Sequence, residues 1–274
     1  MALPESIRER IEALRADTRS GAVTLTQKAV ALLDEIASEP FLAEAAAAVA
    51  QAQAAMAPLR NLAQAVIDRG MSPREFLARM GNNTARVIAL AAELIPDGAT
   101  VLTHSASHTV SEALRKARRG GRSFSVIATE SRPVCEGAEQ ARKLAADGIP
   151  VALVVDAAMG RILTEASLVL VGADSVCAGG VVNKIGTTLL ALGAKELGKE
   201  IYTLCSSEKV CPTGEYPPPE ASRDPDEVAR DRPPGLSVNN LYFEITSLDL
   251  FTAIVTETGT LTPLAFRARY LARR

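Results

Sequence analysis

The chain has 274 residues, 47% hydrophobic and 23% charged, with 30 basic against 32 acidic side chains and a formal net charge of −2. That is enough chain to bury a sizeable core without disulfides or metals, and the interspersed charges exclude the basic face of a general nucleic-acid binder. Four cysteines, none in a C-x-x-C pair, with only two histidines exclude the usual zinc spacings and read as reduced thiols of a cytoplasmic protein.

The first stretch, "MALPESIRERIEAL", is charged and amphipathic and does not read as a signal peptide. Apolar positions then recur at spacings of three and four, as in Ile7, Ile11 and Leu14 and again in Leu25, Ala29 and Leu32, which predicts helix throughout residues 4–94. The Ala-rich run "FLAEAAAAVAQAQAAMA" is interrupted by Glu44, Gln51 and Gln53, so it suits a packed helix and not a membrane span. Ser72 and Pro73 stand where a helix N-cap and first position belong. Residues 1–97 are therefore expected to form a helical N-terminal domain.

From residue 98 the pattern changes. "ATVLTH", "SFSVIATE", "PVALVVDAA", "SLVLVGAD" and "EIYTLCS" are short apolar runs separated by the helical stretches "SEALRKARR", "CEGAEQARKLAADG" and "NKIGTTLLALGAKELG". Strands apolar on both faces, alternating with helices, predict an α/β domain over residues 98–274 with a covered parallel sheet and right-handed crossovers. Ligands of such sheets bind beyond the carboxyl ends of the strands. Those ends carry Thr103, His104 and Ser105; Thr129, Glu130, Ser131 and Arg132; Asp156; and Gly172, Ala173 and Asp174. Residues 207–238, rich in Pro, Glu and Asp, fit no regular element and read as a solvated loop or as a lid or subunit contact. The closing "LYFEITSLDLFTAIVTETGTLTP" predicts one strand and a short helix.

"THSASH", after the first strand, holds both histidines, His104 and His108, around Ser105. It poses a choice between a serine nucleophile with its base and a serine standing where another residue is expected. The stretches "TESRPVCEGAEQARKLAADGIPVALVVDAA", "VLVGADSVCAGGVVNKIGT" and "TETGTLTP", with a weaker match at "TRSGAVTL", resemble the alpha, beta and delta subunits of translation initiation factor 2B. The same family includes the isomerases of methylthioribose 1-phosphate and ribose 1,5-bisphosphate. The resemblance implies a helical N-terminal domain followed by a Rossmann-like domain carrying the ligand pocket. The dinucleotide glycine fingerprint is missing, so no NAD is expected; no other cofactor is expected either, nor, from the cysteine and histidine pattern, a metal.

The family's isomerases use a cysteine after the first strand and an aspartate after the fourth as their proton-transferring pair. The matching positions here are Ser105 and Asp174. A thiol with a pKa of about 8.5 can be tuned toward neutrality, whereas a serine hydroxyl needs an adjacent base. His104 belongs to the family motif. His108 does not: it reads as a surface or capping residue, or, one helical turn from Ser105, as the partner in a Ser105–His108 pair. Arg19, Gly21 and Ala22 partly keep one phosphate-binding stretch of the family, while Gln53 stands where the isomerases carry an arginine. Cys177 replaces a usual alanine, as a relocated thiol or as a buried structural residue. Arg132 with Gly137 suits an anion site, Asn183 and Lys184 match residues that hold substrate hydroxyls and phosphate, and Gly179 and Gly180 permit close backbone approach.

The resemblance thus implies a protein that binds a phosphorylated pentose or nucleotide, with isomerase chemistry altered or lost. An active aldose–ketose isomerase and a regulatory subunit in translation are the alternatives. A homodimer with a two-fold axis and the α/β domain at the contact is expected, with no nucleic acid and no membrane as partner.

Overall fold

A computed structural model of the chain describes residues 3–18, 20–211 and 222–272. Five helices come first: α1 (Glu5–Ala16), α2 (Ala22–Glu35), α3 (Leu42–Ala52), α4 (Ala57–Arg69) and α5 (Pro73–Glu93). Their register follows the apolar spacing, since α1 buries Ile7, Ile11 and Leu14 and α2 buries Leu25, Ala29 and Leu32. Gly70, at φ 60°, ends α4 in the left-handed conformation that glycine takes at least cost. Ser72 then caps α5, its hydroxyl accepting from the Glu75 N–H at 3.2 Å. None of the described helices is long and apolar enough to cross a membrane.

Helix α5 belongs to two cores. Phe76 and Met80 are buried among the other N-terminal helices, whereas Val87, Ala91 and Ala92 are buried against the sheet that follows. Its last turn is closed by Arg122, whose guanidinium donates to the carbonyls of Ala92, Glu93 and Ile95.

The remaining elements are β1 (Ala99–His104), α6 (His108–Arg119), β2 (Phe124–Thr129), α7 (Glu136–Ala146), β3 (Val151–Val154), α8 (Met159–Ile162), β4 (Leu168–Gly172), β5 (Ser175–Cys177) and β6 (Gly180–Lys184). They continue through α9 (Thr187–Glu196), β7 (Glu200–Leu204), β8 (Phe243–Thr246), β9 (Ala253–Thr256), β10 (Gly259–Leu261) and α10 (Pro263–Phe266). Seven strands form one sheet in the order β10-β9-β7-β4-β1-β2-β3, parallel except for β10. Both faces are covered, one by α5 and α6 and the other by α8 and α9, which is why the central strand β4 reads "LVLVG" and is buried at every residue. From β1 the chain builds outward through β2 to β3, then returns to place β4 on the other side of β1. The strand order therefore reverses between β1 and β4, and a crevice opens at their carboxyl ends.

Two expectations are corrected. Asn183 and Lys184 do not open a helix: they end strand β6, and α9 begins at Thr187 after Gly186, at φ 103°. The closing segment gives three strands, not one. Strand β8 joins the hairpin β5–β6 in a second, antiparallel sheet of three strands. These strands are three to five residues long, too short for an alternating pattern to stand out. Gly180 allows the close approach: a Cβ there would lie 2.1 Å from the Thr246 carbonyl oxygen.

Candidate functional site

The crevice between β1 and β4 is the mouth of a cavity of about 550 Å³. Its walls are the β1–α6 turn, the first turns of α7, the β4–β5 turn with Asp174, the end of β6 with Asn183 and Lys184, and Lys209 after β7. The helical layer closes it with Gly21, Ala22, Gln53 and Met56, and Tyr242 and Phe243 complete it.

Ser105 sits where β1 ends, in a left-handed conformation at φ 69° that costs a non-glycine residue about 1 kcal/mol or more. It is held there from three sides. Its N–H donates to Ser131 Oγ at 2.8 Å, its carbonyl accepts from Gln140 Nε2 at 3.3 Å, and its hydroxyl donates to Glu136 Oε1 at 2.9 Å. The same Glu136 oxygen lies 2.9 Å from Lys184 Nζ, and the two side chains are only 12% and 5% exposed. Lys184 also stands over the Tyr242 ring, 4.6 Å from its centroid. The structure thus brings Ser105, Glu136 and Lys184 into one chain of contacts.

His108 lines the same cavity as the first residue of α6, but the Ser105 hydroxyl turns to Glu136 and not to this ring. Partial burial holds the His108 imidazole below its ordinary value, with Lys209 and Arg115 adding to the effect and Glu112 opposing it. His104 is placed differently: it is buried behind the cavity wall. Its Nε2 donates to the Ile185 carbonyl at 2.8 Å, which leaves Nδ1 to accept from the Thr129 hydroxyl at 2.6 Å. That neutral tautomer braces the turn before α9, and burial lowers its pKa.

Asp174 faces the cavity from the β4–β5 turn, its backbone N–H paired to the Val182 carbonyl at 2.9 Å. Lys209, 6% exposed, is lowered by burial, and the nearby Asp174 charge works against that shift. Asn183 is fixed by donating to Thr187 Oγ1 at 3.0 Å.

The other residues singled out in the sequence go elsewhere. Arg132 is exposed in an adjoining cleft, where its Nη2 donates to the Glu227 carbonyl at 2.9 Å and its backbone N–H to Asp156 Oδ2 at 2.7 Å. That cleft shares Thr18 with the main cavity; Arg19 lies outside the described residues. Gly137 serves packing: a Cβ there would lie 2.1 Å from the Thr129 carbonyl oxygen. The anion site expected of Arg132 and Gly137 is therefore not assembled on the main cavity, because Glu136 already places a carboxylate at the start of α7. Gln53 has a structural task, its amide donating to the carbonyls of Leu14, Arg15 and Asp17 at 2.9 to 3.2 Å. Cys177 is fully buried on β5 and does not line the cavity.

Sequence reasoning missed Glu136, Lys209 and Arg223, all of which line the cavity. Lys209 and Arg223 come from the stretch 207–238. Its start is a buried turn held by Asn61, which donates to the carbonyls of Glu208 and Val210, each at 2.7 Å. Its later part is tied to Tyr242, whose hydroxyl donates to Glu227 Oε1 at 2.6 Å. The rule that strand ends carry ligand groups points to Lys209, five residues past the end of β7; no comparable signal marks Arg223.

A family model described as "Initiation factor 2 subunit family" matches residues 2–263. The putative translation initiation factor eIF-2B subunit 2-like protein of Pyrococcus horikoshii is 35% identical over 276 residues, covering 95% of this chain and 98% of its own. The ribose 1,5-bisphosphate isomerase of Archaeoglobus fulgidus is 36% identical over 206 residues, covering 73% of this chain and 64% of that protein. The crystal structure of the Pyrococcus horikoshii OT3 translation initiation factor eIF-2B superposes with a TM-score of 0.86 at 33% identity, over 95% of this chain and 98% of that one.

Proposed function

The chain belongs to the initiation factor 2 subunit family, and from that premise we propose that it binds a sugar phosphate or nucleotide phosphate in the β1–β4 crevice, with the isomerase chemistry of its relatives altered or lost. The convergence of Asp174, Asn183, Lys184 and Lys209 on one cavity carries this reading. Two buried ammonium groups and the uncapped N-terminus of α2 at Gly21 suit a phosphorylated ligand. Asn183 and Asp174 suit its hydroxyls.

Ring opening and the proton shift between C1 and C2 need an acid and a base. Asp174 supplies one carboxylate. At the family's cysteine position, Ser105 donates a hydrogen bond to Glu136, a carboxylate already paired with Lys184. A serine hydroxyl lacks the tunable thiol of that position and is a poor acid. Binding persists under this reading while proton transfer is slow.

The Ser105–Glu136 contact also supports the second reading, an active aldose–ketose isomerase in which Glu136 acts through the serine. The third, a regulatory subunit in translation, draws on the printed names of the initiation-factor relatives. Thermal unfolding with ribose 1,5-bisphosphate, ribose 5-phosphate, methylthioribose 1-phosphate, AMP and GMP, followed by an assay for ketose formation, separates the first two, and pull-down from the native host tests the third. A ligand at a hundred times its dissociation constant adds about 2.7 kcal/mol. Stabilisation without ketose is the expected result. Ketose formation that vanishes in Asp174→Asn establishes the isomerase instead, and no stabilisation across the panel refutes the binding reading.

A homodimer is part of the proposal. Leu153 and Val155 on the β3 edge and Leu189 and Leu192 on α9 are exposed apolar side chains of the α/β domain. Light scattering at micromolar concentration is expected to give a dimer, and Leu189→Asp a monomer.

A further inference from the structure

Apart from the cavity, one cluster gathers nucleophiles and a cation. Val176 and Val210 form a parallel bridge, and the Cys211 N–H donates to the Val176 carbonyl at 2.8 Å. The next residue on each segment is a cysteine, so Cys177 and Cys211 lie side by side with their thiols hydrogen-bonded. Neighbouring strands run about 4.8 Å apart, inside the Cα separation that a disulfide spans. The two thiols are buried with Ala57 and Val182 and packed by Phe243. Arg60, on α4, points at them: its Nη2 lies 3.1 Å from Cys211 Sγ, and its buried Nε has no hydrogen-bond partner. Among the described residues no carboxylate comes within ion-pair distance of this guanidinium.

We propose that Cys177 and Cys211 form a redox site that a small hydroperoxide converts to a disulfide, with Arg60 as the counter-charge of the reactive thiolate. The inference does not rest on the reading of the cavity. A guanidinium needs an anion, and among the described residues the paired sulfurs are what lies against it. The hydrogen bond from Cys211 is the main reason the Cys177 thiol is lowered to about 6, against the opposing effect of burial, and the same bond pushes Cys211 up. Arg60, which lies against Cys211 Sγ, acts to lower both thiols and so favours a negative charge on the pair. A cation so placed argues against a metal in this cluster and for thiolate chemistry.

The reaction balances with the peroxide as oxidant. The Cys177 thiolate attacks one peroxide oxygen, the O–O bond breaks, and the other oxygen leaves as water or an alcohol after taking a proton. A sulfenic acid remains on Cys177. Cys211 then loses its proton, its sulfur attacks the sulfenic sulfur, and the S–O bond breaks. The departing hydroxide takes that proton and leaves as water. Two thiols lose two electrons and the peroxide gains them. The new bond links the strand that follows Asp174 to the segment that follows Lys209, so two walls of the cavity become covalently joined.

The test uses the full chain carrying Cys135→Ser, which removes the most exposed thiol. Dilute hydrogen peroxide is added, the protein is unfolded with an alkylating agent, and masses are read. A loss of two hydrogen atoms is expected, with tryptic peptide 162–184 joined to 210–223. Cys205, whose thiol burial pushes up to about 12, stays reduced and alkylated. Arg60→Gln should slow the reaction about tenfold at pH 5, the change that one unit of thiol pKa makes in thiolate fraction well below that pKa, and Arg60→Lys should keep most of the rate. A mass unchanged or raised by oxygen with no 177–211 link overturns the proposal. So does an Arg60→Gln rate equal to that of the parent.

Discussion

Two corners of this molecule each set a nucleophile beside a cation, buried in one and half-buried in the other, and they differ in what the cation already holds. At Ser105 the cation is Lys184, and it is paired with Glu136. The carboxylate neutralises it and accepts a hydrogen bond from the serine hydroxyl, which has nothing to gain by ionising. At Cys177 and Cys211 the cation is Arg60, which among the described residues has no carboxylate partner and donates to sulfur instead. The residue type and its counter-ion agree in both places: a hydroxyl where the charge is satisfied, thiols where it is not. Reactivity in this chain is thus expected away from the position where its isomerase relatives keep their cysteine.

The largest effect should come from breaking the first corner. Lys184→Met removes the partner of Glu136, whose Oε2 is already buried without a hydrogen bond, and leaves an uncompensated charge. Losing one member of a buried pair costs about 3–5 kcal/mol, so the urea midpoint should fall steeply and ligand stabilisation should vanish with it. Moving a thiol into that corner sharpens the contrast. Ser105→Cys should raise ketose formation by roughly a hundredfold, the lower range of what a positioned acid or base contributes. No gain would mean that Glu136 and Lys184, and not the serine, define the block.

Acid should act on the first corner as peroxide acts on the second. Burial lowers the His104 pKa, so the folded chain binds this proton less readily than the unfolded one. The group's stability is whole above the unfolded value and is lost as pH falls below about 6.5, at up to about 1.4 kcal/mol per pH unit, until the folded pKa is reached. Unfolding midpoints measured from pH 7 to pH 5 should fall accordingly. His104→Gln, which keeps a donor for Ile185 but no titrating ring, should flatten that slope.

The sequence made the frame legible where one physical constraint dominates. Strands buried on both faces must be apolar at every position, so β1, β2, β4 and β7 stood out, and the polar residues directly after them led to Ser105 and Asp174. Short antiparallel strands carry no such signature, and the β5–β6 hairpin was read partly as helix. Glu136 looked like an ordinary acidic first-turn residue of α7, because nothing local shows that Ser105 and Lys184 converge on it from 31 residues before and 48 residues after. Lys209 was hidden by the Pro- and Glu-rich stretch it begins. Arg132 and His104 had the right sequence neighbours, but the first turns toward Glu227 and the second toward Ile185.

Helix α5 carries a consequence for how the molecule melts. Phe76 and Met80 are part of one apolar cluster, and Val87 and Ala91, two to four turns later, part of another. Unravelling that helix in either half strips cover from the other, so the two clusters share one cooperative unit. Calorimetry should record a single transition whose calorimetric and van't Hoff enthalpies agree. A fragment cut at residue 98 would lose the helix that shields one face of its sheet, and it should aggregate where the intact chain stays dispersed.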